Sequence, residues 1–241
     1  MKNVVLMYHD IVTTNDKSSG FQNTNAFSYK VEETAFEEQV KALQGREVVF
    51  TFDDGGESFI TKAAPILEKY GKRGIFFIST KYLGSKGFLS RDQVKELYAR
   101  GHQIGSHSHT HPSNLSSLKT ADIFFEWNES VSVLRDILGK EVKIASIPNG
   151  YDSSDVICQA AQAGITELYT STPTTHVKVR NSIALKGRYV VLSSTNTDSV
   201  LSIVKSNRKR FVMSMKWKVL GIIKGILGNK YDRVKSFMNH S

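Results

Sequence analysis

Cysteine is nearly absent from this chain, long apolar runs are missing, and acids are scarce near its C-terminus. The lone cysteine in 241 residues, Cys158, excludes an intramolecular disulfide and a cysteine-rich zinc site, and it fits a reducing compartment. No window approaches the roughly 18 uninterrupted apolar residues of a membrane span. The opening MKNVVLMYHD carries one lysine and an apolar run from Val4 to Tyr8, too short for the apolar region of a signal peptide. With Met1 in first place, these features lead to the expectation of a soluble, cytoplasmic protein that is neither exported nor cleaved from a precursor. From Leu201 to Ser241 there is one acid, Asp232, against ten lysines and arginines. The other 200 residues hold 22 bases and 22 acids, so the tail carries the whole net charge of +9. A nucleic-acid binder with a basic body is excluded by that distribution, and no nucleic-acid partner is expected.

What is present is an ordinary globular composition, 40% apolar and 10% aromatic, enough for a sizeable core. Periodicity predicts alternating strands and helices. Strands are expected at 3–8, 48–52, 73–78, 103–106, 142–146, 165–169 and 188–192. Helices are expected at 57–70, 91–99, 120–138 and 153–163, with a further one opened by Thr34 and Glu37 in a capping-box pattern. Ser90 and Gln93 repeat that pattern ahead of 91–99, and Gly71 and Gly101 stop two of the helices. Strands separated by helices pair in parallel, and about seven such units in roughly 200 residues imply a barrel whose chemistry sits at the C-terminal strand ends. Residues 14–30 read as a polar loop able to overhang that mouth. No internal repeat or low-complexity linker interrupts the pattern.

The expected strand ends carry His9-Asp10, Asp53-Asp54, GSHSHTHP (105–112), SIPNGYD (146–152) and Arg188. His107 and His111 are four apart, a spacing that brings two imidazoles to one side of a compact turn. Asp54 supplies a carboxylate as third ligand, and two histidines with one carboxylate leave positions open for water, as in a hydrolytic site. Asp53, adjacent but not a ligand, is the candidate general base, and His9 the candidate acid for the leaving group. Asp10 either orients His9 or is a plain solvated aspartate. His109 is assigned a structural role, and His102 the opposite end of its strand. His176 and His240 find no place in the pattern.

Those residues resemble the polysaccharide deacetylase family, carbohydrate esterase family four, with its NodB homology domain. TFDDG (51–55) matches the family's first motif, in which the first Asp is the base and the second a metal ligand. HSHTH (107–111) matches the second, and SIPNG (146–150) is a weaker match to the third, where a backbone amide just after the proline binds the oxyanion. The resemblance thus points to Pro148 and Asn149 as the oxyanion segment. Two departures stand out. Ser146 replaces the Arg expected to hold the base, with Arg188 as the candidate substitute, and the late Leu-His motif that usually supplies the acid is missing. VVLMYHD resembles the circularly permuted branch, in which an N-terminal Tyr-His provides the acid, again indicating His9. The resemblance covers about residues 1–200. It implies a distorted (β/α)7 TIM-like barrel, one divalent metal ion with zinc placed first among divalent transition metals, and N-deacetylation of an acetylated amino sugar in a polysaccharide or lipid-linked saccharide.

Residues 201–241 lie outside the resemblance and read as a basic, amphipathic helical tail. Met215, Val219, Ile222, Ile223 and Ile226 form a helical stripe beside Trp217 and Leu220, with Lys216, Lys218, Lys224 and Lys230 interleaved. That pattern suits an anionic membrane surface and would hold the enzyme peripherally at the inner leaflet. The competing reading packs the stripe on the barrel, and Gly221, Gly225 and Gly228 favour neither. Two other functions fit the same residues: removal of a formyl group or hydrolysis of another non-peptide C–N bond, and an inactive carbohydrate-binding homologue. Retention of His9, Asp53, Asp54, His107 and His111 together argues against the last.

Overall fold

The computed structural model describes residues 3–227, the last eight as backbone only. Its elements in chain order are β1 (Val4–Tyr8), β2 (Ile11–Val12), α1 (Thr24–Phe27), β3 (Val31–Glu32), α2 (Glu33–Ala42), β4 (Val48–Phe52), α3 (Ala64–Lys69) and β5 (Gly74–Ile78). They continue with α4 (Arg91–Ala99), β6 (Gln103–Ser106), α5 (Thr120–Leu138), β7 (Ile144–Ser146), α6 (Ser154–Gln162) and β8 (Glu167–Thr170). The last are β9 (Lys178–Arg180), β10 (Ile183–Gly187), β11 (Tyr189–Val190), α7 (Thr197–Lys205) and α8 (Asn207–Leu227).

The large sheet runs β11-β1-β4-β5-β6-β7-β8-β10-β9, parallel throughout except for β9. β10 and β11 are two halves of one segment bent at Arg188. Its first half pairs with β8 through Ala184–Gly187, and its second pairs with β1 through Leu6↔Tyr189 and Met7↔Val190. The segment therefore joins both ends of the sheet, giving a seven-stranded barrel. β1 and β5 are buried along their whole length, as parallel strands covered on both faces must be. Val5, Ile75, Phe77 and Tyr169 fill the barrel interior, while Leu6, Tyr8, Phe50, Phe52 and Phe76 face the helical layer. Gly105 is required there, because a Cβ would lie 2.6 Å from the Phe77 ring.

Several local expectations change. Ser90 and Gln93 do form a reciprocal capping box, but α2 starts at Glu33 with no side-chain cap. Glu37 instead accepts from Lys69 and Tyr70, so a tertiary pair outcompetes the local one. The helix expected over 57–70 begins with a π turn at Phe59–Ala63, where Pro65 has no N–H to continue the ordinary ladder. Residues 14–30 are not a bare loop but contain α1 and lead into β3. The last strand starts at Ile183, ahead of the expected Arg188, and is preceded by β9. α7 straddles the boundary expected at residue 200, with Val200 and Ile203 buried in the main core. No described helix is long and apolar enough to cross a membrane.

Candidate active site

Strand alternation selects which residues look into the barrel mouth. On β4 the inward series is Val49, Thr51 and then Asp53, so Asp54 would by regular alternation face the helices. Asp54 avoids this by adopting φ 88°, and Gly55 follows at φ 95°. Of the six described non-glycine residues at positive φ, four lie at this mouth: Asp54, Ser108, His111 and Asn149. Each costs of order 1–3 kcal/mol of backbone strain, tolerated only where surrounding structure enforces it.

The turns bring three donor atoms together. Asp54 Oδ1 lies 3.4 Å from His107 Nε2 and 3.3 Å from His111 Nε2. All three ligand atoms fall within 4.8 Å of one another. His107 Nδ1 donates to the Ser146 carbonyl at 3.0 Å, which orients the ring with Nε2 toward Asp54. Divalent-ion bonds of about 2.0–2.2 Å at tetrahedral angles put donor atoms about 3.3–3.6 Å apart, as Asp54 Oδ1 stands from each of the two imidazole nitrogens. The donor set thus fits a divalent metal. Burial alone would raise the Asp54 carboxyl, but hydrogen bonding to His107 and His111 outweighs it and holds the group well below its ordinary range.

Asp53 sits beside this triad, its Oδ2 3.9 Å from His107 Nε2, and is held by other partners. Arg188, fully buried inside the barrel, forks onto it with Nη1 2.6 Å from Oδ1 and Nη2 2.8 Å from Oδ2. Ser146 Oγ donates to Asp53 Oδ2 at 3.1 Å and accepts from Arg188 Nη2 at 2.7 Å. Arg188 is anchored in turn by the Thr170 carbonyl and Thr51 Oγ1. Burial pushes the Asp53 carboxyl up, and the Arg188 charge overcomes this to leave it below the usual value, hence ionised. Ser146, read from the sequence only as a missing arginine, is part of the network that replaces that arginine.

His9 follows β1 on the inward side, with its ring 4.4 Å from the Tyr29 ring and its Nδ1 buried without a hydrogen-bond partner among the described residues. Burial lowers its pKa, while the nearby Asp54 and Asp53 charges work the other way. Pro148 is buried, and Asn149 adopts φ 55° in the turn after β7, its side-chain amide donating to the Pro112 carbonyl. The structure therefore gathers His9, Asp53, Asp54, His107, His111, Pro148, Asn149 and Arg188 around one mouth.

Asp10 matches neither of its expected roles. Its buried carboxylate accepts from Ser19 Oγ at 2.6 Å and Ser58 Oγ at 2.9 Å, and a Cβ on Gly20 or Gly56 would collide with it. It fastens the 13–22 segment to the turn after β4 and does not orient His9. That segment places Phe21 against His111, Tyr82 and Phe88, with ring centroids 4.9–5.1 Å apart. Phe21, Tyr82, His111 and Asn149 line a cleft of about 520 Å³ with Asn23 and Asn25. His109 points away from the triad, its Nδ1 2.9 Å from Thr80 Oγ1. Glu126 accepts from the His109 and Thr110 amides and clamps the histidine loop. His102 lies at the far end of β6, bonded to Gly74 N and Glu68. His176 sits on the loop before β9, and His240 lies outside the described residues. Phe21, Tyr29 and Glu126 carried no spacing signal, since each reaches the mouth from an element whose packing is set only by the closed barrel.

A barrel that carries Asp54, His107 and His111 as a candidate metal-holding group, with a second, separately held carboxylate at the C-terminal strand ends, has the arrangement of a hydrolase. Comparison with known proteins is specific about the family. The polysaccharide deacetylase family model matches residues 41–168, more than half of the chain, and the chain belongs to that family. It is 29% identical over 119 residues to a chitin deacetylase of Colletotrichum lindemuthianum, covering 49% of this chain and 47% of that protein. It is 25% identical over 173 residues to a poly-beta-1,6-N-acetyl-D-glucosamine N-deacetylase of Staphylococcus aureus, covering 57% and 60% respectively. The chain spans about half the length of the curated relatives it matches. The Streptococcus pyogenes deacetylase PplD, solved with acetate, superposes with a TM-score of 0.71 at 19% identity, covering 85% of this chain and 98% of that one. At that identity the match shows the fold.

Proposed function

We propose that this chain is a metal-dependent hydrolase that removes N-acetyl groups from an acetylated amino sugar carried in a polysaccharide or a lipid-linked saccharide. The observation that carries this reading is the separation of the two adjacent aspartates. Asp54 faces two imidazole nitrogens at 3.3–3.4 Å, while Asp53 is held by the Arg188 fork and Ser146.

A divalent ion, zinc in first place, would be held by Asp54, His107 and His111, and would lower the pKa of a water and polarise the amide carbonyl. Asp53, ionised and fixed by two charge-assisted hydrogen bonds, accepts the proton of the attacking water. Arg188 keeps the carboxylate oriented without being consumed. The Pro148–Asn149 turn faces the same mouth, and the Asn149 backbone amide is the donor assigned to the developing oxyanion. His9 delivers a proton to the departing amine nitrogen; burial, which disfavours its cation, makes that cation a stronger acid. The cleft walled by Phe21 and Tyr82 offers aromatic faces and the amides of Asn23, Asn25 and Asn149, a surface suited to a polyhydroxylated ring. The relatives named as chitin and poly-beta-1,6-N-acetyl-D-glucosamine deacetylases support this substrate class. In the same reading the enzyme acts in the cytoplasm, with its basic tail against the inner leaflet.

The test is acetate release from a panel of N-acetylated oligosaccharides and lipid-linked N-acetyl sugars, with and without added zinc. Zinc-dependent acetate release from at least one of them is the expected result. Release of formate from an N-formyl sugar with none from its N-acetyl counterpart would replace the reading by the deformylase one.

A further inference from the structure

One large surface feature plays no part in the chemistry above. β9 and β10 form a hairpin closed by Asn181 and Ser182, both at positive φ, the geometry of a tight two-residue turn. β9 is fully exposed and lies at the sheet edge. Val177, just before it, and Val179 within it are 56% and 72% exposed and alternate with Lys178 and Arg180. Opposite the hairpin lies α8, and between them runs a groove of about 1530 Å³. The α8 residues that line it are Asn207, Arg210, Phe211, Ser214, Met215 and Lys218, one helical face by their spacing. Phe211 is 65% exposed and Met215 43%. Of the stripe, Met215 and Val219 are 43% and 50% exposed, the side chains of Ile222, Ile223 and Ile226 lie outside the described ones, and among the described side chains of α8 only Met213 joins the core.

We propose that the β9–β10 hairpin and α8 together form a docking face for an anionic lipid bilayer. Lys178, Arg180 and Lys218 meet the headgroup phosphates, while Val177, Val179, Phe211 and Met215 enter the headgroup–acyl boundary. This deepens the tail reading above by adding a second element, the hairpin that β10 carries at the edge of the barrel sheet. Charge identifies the occupant. None of those three cations has an ion-pair partner among the described residues, and the groove's one acid is Asp152. Arg210 is spoken for, since it caps α7 through the Ile203 and Val204 carbonyls. The chain's own remaining segment, 228–241, has three bases and one acid and is a poor complement to a basic groove. Cations interleaved with exposed aliphatic and aromatic side chains, including Trp217 at 41% exposure between Lys216 and Lys218, are the pattern of an interfacial binder. The face also borders the mouth: Asp152, Thr170 and Thr172 form its upper rim, and Gly150, next to Asn149, packs against Ser171. Docking there holds the catalytic opening close to a lipid-linked sugar.

The test is co-sedimentation of the full chain with vesicles of phosphatidylglycerol and phosphatidylcholine, compared with phosphatidylcholine alone. Binding is expected only to the anionic vesicles and should weaken as salt is raised. Each base near an anionic surface contributes about 1 kcal/mol, so Lys178→Glu/Arg180→Glu should lower partitioning by at least about 30-fold. Phe211→Asp should weaken it as well, with all variants melting at the parent temperature. Equal binding to neutral vesicles, a hairpin variant that binds like the parent, or a dimer in solution that the same variant dissociates would each overturn the proposal. Because the readout is partitioning, failure here leaves the deacetylation reading standing. Loss of acetate release with intact vesicle binding would do the reverse.

Discussion

Replacing Arg188 by Met tests the network that separates the two aspartates. The substitution keeps the volume of the side chain but removes both guanidinium donors that reach the Asp53 carboxylate, at 2.6 and 2.8 Å, and leaves Ser146 Oγ at 3.1 Å as its remaining side-chain donor among the described residues. Asp53 is 3% exposed and Arg188 fully buried, so water cannot replace the lost bonds without opening the barrel. Removing one partner of a buried ion pair typically costs about 3–5 kcal/mol, because the other charge is left uncompensated. A domain of this kind has a total stability of about 5–15 kcal/mol, so the loss is readily measured by urea unfolding at pH 7. Arg188→Met/Asp53→Asn should recover most of the loss, because the buried charge disappears with its partner. A single-variant cost below about 1 kcal/mol, or a double variant no more stable than Arg188→Met, would refute the network.

Three other outcomes follow from the geometry. Burial raises the Asp10 carboxyl to about 6 from 3.8, so the native state binds its proton more tightly than the unfolded chain. Its contribution is therefore most favourable below pH 4 and is lost as pH rises through 6, about 3 kcal/mol in all. Asp10→Asn still accepts from Ser19 and Ser58 and does not ionise, so its unfolding free energy should gain on the parent's between pH 4 and 7; parallel curves would contradict this. Glu126→Ala strands the His109 and Thr110 amides, which should cost about 2–4 kcal/mol and loosen zinc binding in a calorimetric titration; unchanged affinity would mean the loop holds its shape alone. Phe21→Ala should raise KM for an oligosaccharide by about 3–10-fold with kcat nearly kept, since it removes an aromatic wall and no reacting group. A fall in kcat with unchanged KM would place Phe21 in the chemistry.

Much of the barrel was legible because parallel strands buried on both faces read as apolar runs, and VVLMY, VVFTF and GIFFI are such runs. β9 and β10 escaped notice because Lys178, Arg180 and Lys186 break the apolar pattern on an edge hairpin. The metal triad could be read from the four-residue spacing of His107 and His111 and the paired aspartates. How both aspartates enter one mouth could not, because it depends on φ 88° at Asp54 itself, a conformation that residue type does not announce. Arg188 was legible as the substitute for the missing third-motif arginine that holds the base; the fork by which it reaches Asp53 depends on the bend between β10 and β11, a consequence of closing the ring. Asp10 shows the opposite case. Its neighbour His9 made it look like part of the chemistry, whereas its partners, Ser19 and Ser58, are 9 and 48 residues away.

The central claim is the division of labour between Asp53 and Asp54, and metal content and turnover measured on the same preparations address it most directly. Asp53→Asn should bind one equivalent of zinc like the parent and lose about 10²–10⁴ in acetate release, the usual contribution of a general base. Asp54→Asn should lose the metal and turnover together. Retention of zinc by Asp54→Asn with its loss from Asp53→Asn would contradict the account.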